Sequence, residues 1–159
     1  MDWKAVDPTE SNEVNEVIEL LDVSFPVDRD YIERAVAGIL SDPGKDGQLY
    51  RLRSIDGALI ATVTYGQVYG DGWDGETFIR FFAVHPDHRR QGHAAWIIKK
   101  IMNDAQACGS RCVALASLQS DKIAAGIWER RGFTVYATQP CEEYPENGHH
   151  DCYVYWFSE

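Results

Sequence analysis

Apolar residues recur at spacings of three and four near the start of the chain. Val14, Val17, Ile18, Leu21 and Phe25 form one face of a helix over residues 8–24, stopped by Pro26. Asp7-Pro8-Thr9-Glu10 supplies a cap, a proline at the first helical position and a Glu three residues after the cap, which together predict the helix start. A second box, Asp30-Tyr31-Ile32-Glu33, opens a helix with Ile32, Ala35, Val36, Ile39 and Leu40 inward, ending before Pro43. The period then changes to two. Residues 48–55 and 58–69 are rich in strand formers and flank Asp56-Gly57, a strong hairpin signal, and residues 76–84 make a third strand with almost no polar face in its second half.

Helical spacing returns after Gly92, with Ala94, Ile97, Ile98, Ile101, Ala105 and Cys108 inward until Gly109 closes the helix. Residues 112–118 form a short apolar strand and residues 121–131 a helix ended by Gly132. Strands 133–138 and 153–157 follow, joined by the acidic stretch 142–151, and residues 3–6 make a short first strand. A strand, helix, strand passage within one sheet needs a crossover, so strands 76–84 and 112–118 are expected to be parallel neighbours. The order predicts a mixed α/β (α+β-like) fold: one domain over residues 1–159, a central mostly antiparallel sheet with one parallel pair, and about four flanking helices.

Composition narrows the functions open to such a domain. With 159 residues, 45% of them hydrophobic, there is material for one ample core. Fifteen Lys and Arg against twenty-five Asp and Glu give a formal charge of −10, which opposes nucleic acid and anionic membranes as partners and favours cationic substrates. MDWKAVDPTESNEV lacks a basic-then-apolar leader, so the expected place is the cytoplasm. Cys108, Cys112, Cys141 and Cys152 contain no Cys-x-x-Cys pair, which argues for reduced thiols. His149, His150 and Cys152, with Cys141 upstream, are a weak metal set because adjacent residues on an extended segment point to opposite faces; no metal is expected.

The chemistry concentrates in Val84-His85-Pro86-Asp87-His88-Arg89-Arg90-Gln91-Gly92-His93-Ala94-Ala95. This segment joins a strand to a helix start, where amides lack intrahelical partners and the helix dipole favours an anion. Gly92 and Ala94 permit close backbone approach, and Arg89 and Arg90 add charge, so a pyrophosphate fits here.

Arg89-Arg90-Gln91-Gly92-His93-Ala94 resembles the signature of the GNAT superfamily of N-acetyltransferases, Arg or Gln, x, x, Gly, x, Gly or Ala, at the turn from the fourth strand into the third helix. Val84-x-Pro86 before it is also similar, as is Trp128-Glu129-Arg130-Arg131-Gly132-Phe133 to the family's Tyr-x-x-x-Gly-Phe, and the element order agrees over nearly the whole chain. The resemblance implies acetyl-CoA or another acyl-CoA as co-substrate, held where the two parallel strands splay apart. Backbone groups of Phe82, Ala83 and Val84 would meet the pantetheine arm, the amides of Gln91, Gly92, His93, Ala94 and Ala95 the pyrophosphate, and Arg89 and Arg90 its charge. Asp121 falls where relatives carry an Asn that contacts the cofactor, and a carboxylate cannot donate the same hydrogen bond. Trp128 replaces the Tyr that protonates the departing thiolate, a task an indole N–H does not perform near neutral pH. It either lines the cleft or belongs to the core, and Tyr136 and Ser117 are other candidate acids.

A charged amine must lose a proton before it attacks, at a cost of roughly 4 to 5 kcal/mol at pH 7 for a Lys-like group. Glu76 is the candidate base, on the face that strict alternation shares among Phe78, Arg80, Phe82 and Val84, with an exposed turn acid as its other reading. Acceptor specificity is expected from Phe25 in the connection between the first two helices and from Glu142, Glu143 and Tyr144 in the acidic stretch. The expected activity is direct transfer of an acetyl group to a cationic primary amine. A non-catalytic acyl-CoA sensor is the alternative, a nucleic-acid-binding domain is opposed by the net charge, and a homodimer is left open.

Overall fold

Alternation along residues 59–68 decides where the sheet sits: Val63 and Tyr65 are buried on one face, Thr62 and Thr64 on the other, so this strand is covered on both sides. The computed structural model describes every residue except Asp71, Glu143 and Glu159, and all side chains of the rest but that of Asp46. The elements run β1 (Asp2–Ala5), α1 (Ser11–Asp22), α2 (Arg29–Ser41), α3 (Pro43–Asp46), β2 (Gln48–Arg53), β3 (Leu59–Val68), β4 (Glu76–Val84), α4 (His93–Ala107), β5 (Cys112–Leu118), α5 (Lys122–Glu129), β6 (Thr134–Pro140) and β7 (His149–Trp156). The seven strands form one sheet in the order β1-β2-β3-β4-β5-β7-β6. All neighbours are antiparallel except β4 and β5, so the mixed α/β fold with one parallel pair is as expected, with five helices rather than about four.

Two apolar layers hold the sheet. Ile97, Ile98, Ile101 and Ala105 of α4 and Trp128 of α5 pack with Leu52, Ile79, Val113, Leu115 and Tyr153. Val17, Leu20 and Leu21 of α1 and Ile32, Val36 and Ile39 of α2 pack with Leu49 and Ala83. Among the described residues no helix is long and apolar enough to cross a membrane.

Several boundaries differ from the sequence-based expectation for local reasons. The Asp7 carboxylate accepts from the Thr9 amide (2.8 Å) and hydroxyl (2.7 Å), which holds Pro8 and Thr9 in a turn, and α1 begins only at Ser11. Glu13, not Glu10, reaches back to the Asp7 amide at 2.9 Å. The second helix begins at Arg29 behind Asp28, so Asp30 lies in its first turn rather than at its cap. Pro43 opens the single turn α3. Strand β7 begins at His149, and the Cys141 amide closes its connection to β6 on the Gly148 carbonyl at 2.9 Å, so residues 149–151 belong to the sheet and not to the acidic connection.

Candidate active site

The parallel pair is joined by only three rungs: Thr77 with Val113, Phe78 with Ala114 and Ile79 with Leu115. Beyond them β4 carries a bulge against β3, between the Thr62–Ala83 and Thr64–Arg80 pairs, and Phe81 takes a positive φ of 48°. The extra residue shifts the alternation. Phe82 and Val84 join Ile79 on the α4 side, while Phe81 and Ala83 turn to the α1–α2 side. Strict alternation grouped Phe82 and Val84 with Phe78; the bulge overturns that grouping. Because the His85 amide donates to the Ile60 carbonyl (2.8 Å), Val84, its neighbour, turns its backbone groups to the opposite edge, into the gap opening between β4 and β5.

At the mouth of this gap the chain turns into α4. Arg90 (φ 61°) and Gly92 (φ 84°) both adopt left-handed backbone, and Gly92 caps the helix. The first amide of this stretch to return to a carbonyl is that of Trp96, on Gly92 at 3.0 Å. Among the described residues, the amides of Arg90, Gln91, Gly92, His93, Ala94 and Ala95 donate to no backbone carbonyl. A Cβ on Gly92 would meet nothing within 4 Å, so the cradle is open. Six amides at a helix N-terminus beside exposed Arg89 and Arg90 suit a polyphosphate. The Arg89 Nε donates to the Val84 carbonyl at 3.0 Å, so that carbonyl already has one partner. His88 lies edge-on to His93, with ring centroids 6.3 Å apart, on the same mouth.

Three candidates take other places. Glu76 is 2% exposed, and its carboxylate accepts from the amides of Arg111 (2.8 Å) and Cys112 (3.1 Å) and from the Arg111 guanidinium. Burial pushes its pKa up, but those donors hold it below the usual glutamate range. With both oxygens occupied, at the closed end of the strand pair, it is not placed as a base, and this corrects the expectation. Asp121 accepts the Ala124 amide at 2.9 Å and is the N-cap of α5, which explains a carboxylate there without a cofactor contact. Trp128 is 5% exposed and packs on Phe82 (5.8 Å between centroids) and Phe133 (5.3 Å), a core residue beneath the cleft wall. Tyr136 lies against Trp73 (5.4 Å). Ser117 lies on β5 beyond its last rung with β4.

On the α1–α2 side the two expected specificity segments meet. Phe25 stands edge-on to Phe81 (5.8 Å), Tyr31 is tilted over Phe81 (6.4 Å) and meets Tyr144 edge-on (5.4 Å), and the Asn147 Nδ2 donates to the Pro26 carbonyl at 2.9 Å. Phe81, Tyr31 and Asn147 were not singled out from the sequence. Phe81 reaches this wall only through the bulge. Glu142, two residues before Tyr144, is exposed, and Glu143 lies outside the described residues. Among the described residues no group of three or more His, Cys, Asp or Glu is placed to hold a metal ion.

Residues 14–133 match the acetyltransferase (GNAT) family. The chain belongs to that family. Membership makes it an N-acetyltransferase, and the mixed sheet with its splayed parallel pair is the GNAT fold. Solved GNAT-like structures align over essentially the whole chain at low identity. The protein yncA from Salmonella typhimurium, solved with its cofactor acetyl-CoA, has a TM-score of 0.69 at 16% identity, covering 100% of this chain and 95% of its own. An aminoglycoside 6'-N-acetyltransferase complexed with coenzyme A has a TM-score of 0.74 at 12% identity, with 100% and 98% covered. The NatC complex bound to Gag peptide and CoA gives 0.76 at 13%, with 99% and 98% covered. No curated protein matches the chain.

Proposed function

We propose that this GNAT chain transfers the acetyl group of acetyl-CoA to a cationic primary amine by direct attack within a ternary complex. The observation that carries the reading is the open cradle of six amides at the start of α4, continuous with the gap that the Phe81 bulge opens between β4 and β5. The amides of Arg90 to Ala95, with Arg89 and Arg90, hold the pyrophosphate, and the backbone of Phe82 and Val84 orients the pantetheine arm. When bound, acetyl-CoA supplies a thioester whose thiolate leaves readily. The ammonium first loses a proton to solvent, and the neutral nitrogen then bonds to the carbonyl carbon. The C–S bond breaks with its electron pair on sulfur, and the nitrogen's second proton is given up as the amide forms, balancing the thiolate. One structural relative is an aminoglycoside 6'-N-acetyltransferase and another is bound to a peptide, which supports a small amine or a peptide amine as the acceptor here.

The aromatic wall of Phe25, Tyr31, Phe81 and Tyr144 offers faces for a cation, and the acidic stretch that carries Tyr144, in a chain of charge −10, favours one. Glu76 is committed to Arg111, so this reading assigns proton removal to no carboxylate of β4. The test is free-thiol release from acetyl-CoA across a panel of polyamine, aminoglycoside and peptide amines. Release should depend on the amine and rise with pH through the neutral range; added salt, or joint neutralisation of Glu142, Glu143 and Glu146, should raise the amine KM more than it changes kcat. Acetyl-CoA binding with no amine-dependent thiol would convert the assignment to a sensor. An anionic preferred acceptor would remove its cationic half.

A further inference from the structure

A cleft between two splayed strands is only as well defined as the point at which they close. Here that point is slender, because β4 and β5 share three rungs and the bulge begins two residues later. Glu76, the first residue of β4, lies on the far side of those rungs, where β5 starts. Its Oε2 accepts the amides of Arg111 (2.8 Å) and Cys112 (3.1 Å), and its Oε1 accepts the Arg111 guanidinium. The carboxylate therefore stands in for a fourth rung, crossing from β4 to the β5 backbone by a side chain where no main-chain pair is formed. Around it the Ser110 hydroxyl donates to the Gly75 carbonyl (2.8 Å) and lies 2.9 Å from the Thr77 hydroxyl. The apolar walls just beyond, Ile79, Val113 and Leu115, supply no directional contact of their own.

We propose that Glu76 is the positioning residue of the acyl-CoA cleft, pinning the closed end of the strand pair so that the backbone of Phe82 and Val84 is held at the spacing the pantetheine arm needs. Six steps of strand separate Glu76 from Phe82, roughly 20 Å, so it acts through the strands and not by contact. The inference rests on the reading of the cleft as an acyl-CoA site. Replacing Glu76 with Gln keeps the size and one carbonyl acceptor, but turns an NH2 donor toward a guanidinium that is also only a donor.

The test compares wild type with Glu76→Gln by acetyl-CoA titration and steady-state kinetics. Glu76→Gln should raise the Kd and KM for acetyl-CoA by about tenfold, while kcat at saturating acetyl-CoA and the amine KM stay within about twofold, because saturating co-substrate restores the spacing itself. If Glu76→Gln does not fold, Arg111→Ala is read instead: Arg111 is exposed, and the variant keeps both backbone amides on the carboxylate. It should show a smaller rise in the acetyl-CoA KM, about threefold, which Arg111→Lys partly reverses. Wild type that binds no acetyl-CoA overturns the functional reading and this inference together. Wild-type binding matched by equal binding in the folded variants, or a change confined to kcat or the amine KM, overturns this inference alone.

Discussion

At the scale of single residues the site is decided by backbone conformation more than by side-chain chemistry. Gly92 takes φ 84° at the cap of α4, where a β-substituted residue pays about 1–2 kcal/mol. A Cβ there would nonetheless meet nothing within 4 Å, so Gly92→Val should fold, with a melting temperature lower by only a few degrees. In the proposed site the same side chain would crowd the loop whose amides hold the phosphates. Acetyl-CoA should therefore raise the melting temperature of the wild type by mass action and leave that of Gly92→Val unchanged. An equal shift in both proteins would displace the pyrophosphate from this loop. Trp128 and Asp121 stand where the sequence resemblance implied functional groups, yet one is buried on Phe82 and Phe133 and the other caps a helix. Residue type at a motif position is legible in sequence; what the atoms touch is not.

At the scale of elements the β4 bulge connects the two halves of the site. It places Phe82 and Val84 along the gap between β4 and β5 and Phe81 on the aromatic wall, so in the proposed function one inserted residue would serve both substrates. The left-handed φ of 48° at Phe81 costs about 1–2 kcal/mol, comparable to what its ring pairs with Phe25 and Tyr31 return. Phe81→Gly keeps the bulge and loses the rings. Relief of the strain offsets the lost ring pairs but not the lost burial, so its stability should fall by about 1–2 kcal/mol, its amine KM should rise severalfold, and its acetyl-CoA affinity should hold. Deleting Phe81 should restore strict alternation with Phe82 and Val84 kept on the α4 side, so it removes the bulge without turning those residues, and acetyl-CoA binding should be lost with the gap. Retained binding in a folded deletion variant would mean that something other than the bulge opens the gap. Periodicity and turn residues made the strands, the main helices and the parallel crossover readable, because each rests on contacts local in sequence or on a general handedness rule. The bulge was not readable, since a run of Phe, Phe and Ala carries no signal for one unpaired residue. The ion pair of Glu76 with Arg111 was hidden for a related reason: its partners are 35 positions apart and meet only through the register of β4 on β5.

At the scale of the whole molecule two electrostatic effects oppose each other as pH falls. The chain carries a formal charge of −10 at pH 7 and has a pI near 4.9, so lowering pH from neutral relieves self-repulsion in the compact state. Against this stand Glu13 and Glu76. For Glu13 burial acts upward, but the Asp7 amide and the Arg51 guanidinium, at 2.9 and 2.6 Å, outweigh it; for Glu76 burial is outweighed by Arg111 and the Cys112 amide. Both groups are thus held below their ordinary value of 4.5 in the folded chain. A depressed folded-state pKa adds stability that is complete above the unfolded value and disappears as pH falls through the folded one. The melting temperature at low salt should therefore rise slightly from pH 7 to about pH 5, then fall steeply below about pH 4.5. In about 0.5 M salt the first limb should flatten, because surface repulsion is screened, while the acid limb persists, because Glu76 is 2% exposed and its carboxylate is held by the Arg111 and Cys112 amides, which salt does not screen as it does the exposed Arg111 guanidinium. Glu13→Gln should make the acid limb shallower at both salt concentrations. A melting temperature that rises monotonically with pH at low salt, or an acid limb erased by salt, would show that exposed charges and not these two carboxylates govern the stability of the fold.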